Sequence, residues 1–101
     1  MKKTVIETFS NLAPTVEGTI TVTSMKLSVV GQASVMEVAG HSTGTIILAN
    51  VFGVGQVHGA PNQIVINAYY QNFGTIGAMS TIVPMPTTGS IPAIKLLVEG
   101  V

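Results

Sequence analysis

Cysteine, tryptophan, aspartate and arginine are all missing from this 101-residue chain. Without cysteine there is neither a disulfide framework nor a thiolate metal site. Without aspartate and arginine, charge rests on Glu7, Glu17, Glu37 and Glu99 against Lys2, Lys3, Lys26 and Lys95, which is 8% of the residues and a net charge of zero. An ordinary globular domain carries about 25%. From Val38 to Ile94 no side chain is formally charged.

These absences exclude function classes. Nucleic-acid binding neutralises phosphates with lysine and arginine, and four scattered lysines balanced by four glutamates form no basic stripe. No run approaches 18 uninterrupted apolar residues, so a membrane-spanning helix is not expected. Met1-Lys2-Lys3 has the look of a signal-peptide start, but Glu7 and polar residues interrupt the apolar segment that must follow, and no cleavable signal is expected.

Low charge also bears on association. A folded monomer of this mass exposes roughly 5,400 Å², so eight charges amount to roughly one per 700 Å². A neutral chain with so few repelling groups is poorly protected against association. Either copies of itself or a partner cover much of the surface, or Ser, Thr, Asn and Gln keep it soluble, as on many extracellular β proteins.

Val, Ile and Thr dominate what is present, and strong helix formers are too few to fill helices, so the class is all-β. By length the chain is one domain. Strands are expected at 4–9, 16–23, 25–30, 33–38, 45–52, 63–73, 76–83 and 93–100, a spacing that suits a sandwich or barrel. Thr19-Ile20-Thr21-Val22-Thr23 alternates as a half-buried strand does. The apolar phase then shifts to Met25, Leu27 and Val29, which calls for a bulge or tight turn at Ser24. Gly31-Gln32 suits a two-residue hairpin turn. TIIL and IVIN are apolar on both faces, which points to strands covered on both sides, the second cover coming from another subunit. PMPTTGSIP (84–92) reads as an exposed loop.

Residues 1–12 read in two ways: as an extended arm that adds to a neighbour's sheet through Val5, Ile6, Phe9 and Leu12, or as the first strand of their own sheet. Residues 13–101 form the single β domain under either reading.

The motifs that suggest chemistry are weak. GVGQVHG (53–59) is spaced G-x-G-x-x-x-G, one residue off the dinucleotide-binding pattern, and it leads into QIVINAYY rather than a helix. No acidic residue follows before Glu99 to hold a ribose, so the glycines read as bulges or positions of close backbone approach. His41 and His58 lack a third ligand at metal-type spacing. No aspartate exists to orient a Ser-His pair, and the glutamates lie toward the chain ends, so no catalytic residue, cofactor or metal site is assigned. Tyr69, Tyr70, Gln71 and Asn72 combine tyrosine with amides, as carbohydrate-binding and protein-binding faces do, although alternation alone places one tyrosine in the core and its neighbour half-exposed on the outer face.

The expectation is a small antiparallel β-sandwich, with jelly-roll topology as one form of it, acting as a non-enzymatic subunit that assembles with copies of itself into a filament, ring or shell. Appendage subunits and virion components have this character, and the cell exterior or a virion is the favoured setting. The alternative is a β module that binds glycan or a protein partner.

Overall fold

Strands form where Val, Ile and Thr alternate. The computed structural model describes residues 1–41, 45–55, 60–72 and 81–101. Among them are seven strands: β1 Lys3–Leu12, β2 Thr19–Thr23, β3 Val30–Val38, β4 Thr45–Val54, β5 Gln63–Asn72, β6 Thr81–Pro84 and β7 Ile91–Gly100. No α-helix occurs among the described residues.

One sheet has the order β1-β7-β3 and the other β2-β5-β4, with β6 also on β5. All pairs are antiparallel. β2 pairs residues 63–67 of β5 and β6 pairs residues 69–72, so the two short strands lie end to end along one side of β5. Ala68 joins them: its N–H donates to Gly18 O (3.0 Å), and its carbonyl accepts from Met85 N (3.0 Å). Among the described strands β1 pairs with β7 and β2 with β5, and four of the six connections between them cross between sheets. The two antiparallel sheets form a small β-sandwich.

Alternation turns one face of each sheet inward. Ile94, Leu96 and Val98 of β7 meet Ile20 and Val22 of β2 and Ile64, Ile66 and Ala68 of β5 in a single apolar cluster. Each buried Ile, Leu or Val among them contributes about 1.5–3 kcal/mol. Val5 and Phe9 of β1 and Val35 and Val38 of β3 pack against it.

Three local expectations are corrected. Residues 25–29 are not a strand. Side chains hold the start of the segment, where Met25 N donates to Glu7 Oε1 (2.8 Å) and Leu27 N to Ser24 Oγ (3.0 Å), and Ser28 N and Val29 N donate to the Val101 carbonyl (2.7 and 3.0 Å), so the phase shift is resolved by the chain leaving the sheet at Ser24. Leu27 alone of the apolar trio is buried, while Met25 is 79% exposed. Gly31-Gln32 is not a hairpin turn, because no strand precedes it; Gly31 lies at a register shift within β3, between the pairs Val30↔Gly100 and Gln32↔Glu99. The 84–92 segment is only partly exposed, since Met85 and Ile91 are fully buried and anchor both ends of the turn.

Candidate functional site

Charge is unevenly distributed over the two sheets. Lys3, Glu7, Glu37, Lys95 and Glu99 lie on β1, β3 and β7, with Lys2 just before β1, Glu17 between β1 and β2, and Lys26 in the 24–29 crossing. On the outer face of that sheet Glu37 stands beside Lys95 in register, and Lys2 Nζ lies 3.6 Å from Glu99 Oε2. The four strands of the second sheet, β2, β4, β5 and β6, contain no charged residue at all.

Register defines the outward face of this uncharged sheet. Thr19, Asn67 and Asn50 form one rung across three strands, and Thr21, Val65 and Gly53 form the next. At the other end Leu48, Tyr69 and Pro84 form a rung, followed by Ile46, Gln71 and Ile82. The face is thus Thr- and Asn-rich at one end and mainly apolar at the other. Val65 is 8% exposed although it points away from the core, whereas Ile82 is 58% exposed. Phe52, at the β4 register shift, is also largely exposed.

The outer strands each carry a feature that hinders strand addition. β1 holds an inward carboxylate at Glu7, and its Ile6 carbonyl accepts from Lys26 Nζ (2.9 Å). β3 has two register shifts. β4 has one, and its Ile47 N–H donates to His41 Nδ1 (3.1 Å), which spends a donor that β5 does not use. β2 and β6 are five and four residues long, and β6 ends on Pro84. Bulges, inward charge, proline and short length are the devices by which sheet proteins blunt their edges.

The four residues assigned to an arm lie in β1, which pairs with β7 of the same chain from Lys3↔Gly100 to Leu12↔Ile91. Val5, Phe9 and Leu12 pack against the core, and Ile6 is 47% exposed on the outer side. Of the proposed ligand face, Tyr69 and Gln71 point outward, Tyr70 packs against the core, and Asn72 sits at the strand end, where Thr45 Oγ1 and Asn72 Oδ1 are 3.2 Å apart. Alternation divides the two tyrosines, so only one belongs to a surface.

His41 serves β4, and its Nδ1 must be the unprotonated acceptor for this bond. His58 and residues 76–80 of the strand expected at 76–83 lie outside the described residues. Among the described residues no group of three or more His, Cys, Asp or Glu could hold a metal ion. Within GVGQVHG, Gly53 belongs to β4, and Gly55 has φ 72°, where an added Cβ would sit 3.1 Å from Val30 O. That backbone demand accounts for the glycine without a phosphate. A cleft of about 370 Å³ beside Lys2, Gln32 and Glu99 is open to solvent, and its one acid and one base already pair.

One polar site escaped sequence reasoning. Glu7 is 2% exposed and accepts from Ser24 Oγ (2.5 Å) and Met25 N (2.8 Å), fixing the 24–29 crossing over the core. Its signal was the inward parity of Glu7 between Val5 and Phe9. Ile46, Leu48, Ile82 and Pro84 were also missed as a surface, because only the cross-strand register brings them together. No family model, curated protein or solved structure compared with this chain matches it.

Proposed function

We propose that this chain is a non-enzymatic structural subunit that assembles with copies of itself into a repeated symmetric particle, a filament, ring or shell of the kind found in appendages and virions. The observation that carries this reading is the scarcity of surface charge. Glu7 is buried, which leaves seven charged side chains for 5862 Å² of surface, or about one per 840 Å². A standard specific interface covers about 800 Å² per partner, so an average contact on this molecule encloses a single charge to desolvate.

Negative-stain electron microscopy of the purified protein tests the reading. Regular rings, shells or fibres are the expected images, and fields without ordered particles at every concentration overturn it.

A second reading, a glycan-binding or protein-binding module, draws on the outward Tyr69 with Gln71 and Asn67 on the same strand face. It predicts binding on a glycan array that is lost in Tyr69→Ala; an array without hits removes its glycan form.

A further inference from the structure

We propose that copies of this chain meet through the outer face of the uncharged sheet, packed sheet against sheet, and not by adding a strand at an edge. The inference rests on the self-assembly reading above and names the surface that would serve it. Each outer strand is blunted by a side-chain contact, a bulge, an inward charge or short length, so strand addition must first undo one of these. The outer face of β1-β7-β3 presents Lys95, Glu37 and Glu99, whose desolvation opposes burial.

The face of β2, β4, β5 and β6 has neither obstacle. It holds no charge, so a second copy placed on it by a twofold axis meets no repulsion. Its apolar end offers Leu48, Tyr69 and Pro84, and an aromatic among uncharged residues is the usual composition of an interface core. Thr19, Thr21, Asn50 and Asn67 supply neutral hydrogen-bonding groups beside it. A neutral face of this kind favours a second copy over a charged partner, which it has no counter-charge to hold.

Size sets how the contact is used. Ten residues at about 3.4 Å and three strands at about 4.8 Å give a face of about 34 by 14 Å, roughly 480 Å² in projection. A pair of such faces covers roughly 1,000 Å² in total, at the low end of specific interfaces. The whole face is therefore needed, and the contact acts as one weak twofold joint that pairs two copies, the unit from which further contacts would build a larger assembly.

Sedimentation equilibrium of the full chain over a hundredfold concentration range, for wild type, Leu48→Lys, Ile82→Lys and Ile6→Lys, provides the test. Far-UV circular dichroism of each variant confirms that the sheets persist, and the exposed Ile82 supplies the reading should Leu48→Lys fail to fold. Burying an unpaired lysine should raise the dissociation constant of both face variants about tenfold or more, while Ile6→Lys, on the opposite sheet, associates as wild type does. If wild type associates and both folded face variants associate equally well, the face assignment is wrong while the subunit reading stands. A wild type that stays monomeric throughout overturns both, and a glycan bound through Tyr69 would then give the face to that ligand.

Discussion

Glu7 shows how a single residue can hold a crossing between layers. Its carboxylate accepts from Ser24 Oγ and Met25 N, Ser24 Oγ accepts from Leu27 N, and no buried side-chain nitrogen or oxygen among the described residues is left without a partner. Glu7→Leu removes both acceptor oxygens and leaves a partly buried N–H unpaired, which costs about 2–3 kcal/mol. A thermal melt should show this as a fall of about 4–8 °C for each kcal/mol lost. Glu7→Gln keeps one carbonyl oxygen and should lose less than half as much; equal losses for the two would mean that the side chain only fills space. Glycines provide a second contrast. A Cβ on Gly100 would overlap the Val29 carbonyl, whereas one on Gly31 meets nothing closer than Glu99 O at 3.8 Å. Gly100→Ala should therefore destabilise by about 1–3 kcal/mol and Gly31→Ala by less than about 0.5 kcal/mol, as read from denaturant midpoints.

At the level of elements, β1 is paired with β7 along its length and contributes Val5 and Phe9 to the apolar packing. Deleting residues 1–12 should thus abolish the cooperative melt; a truncated chain that melts as sharply as wild type would show that β1 is dispensable, as an arm is. His41→Ala leaves the Ile47 N–H on β4 without its acceptor and should cost about 0.5–1.5 kcal/mol in the same assay. Strand identity was largely legible, because period-two alternation marks Thr19–Thr23 and short runs rich in Val, Ile and Thr mark most of β1, β3, β4, β5 and β7. The failures have a common cause. Residues 25–29 carry strand-like residues, but Glu7, 18 positions from Met25, accepts the backbone bond that a ladder would have used. Gly31 resembles a turn residue until Gly100 and Glu99 appear opposite it, and Met85 looks like part of a loop until Ala68 bonds it to β5. Each depends on a partner distant in sequence, which local pattern does not reveal.

For the whole molecule, the deciding feature is where charge is placed. The uncharged interval from Val38 to Ile94 is visible in the sequence, but that it includes three of the four strands of one sheet, joined by the charge-free β2, follows only from the strand order. Likewise the Tyr69-Tyr70 pair could be named as a candidate surface in advance, whereas the neighbours of Tyr69, Leu48 and Pro84, are 21 and 15 positions away and meet it through register alone. The result is a two-faced sandwich, charged on one outer side and neutral on the other, with hindered edges between. The measurement that tests this account most directly is the weight-average mass of the wild-type chain by static light scattering over a hundredfold range of concentration. A mass that climbs above the 10.4 kDa monomer as concentration rises is the expected result. A constant monomer mass across the range would contradict self-assembly and leave the neutral face as surface kept in solution by its Thr, Asn and Gln side chains.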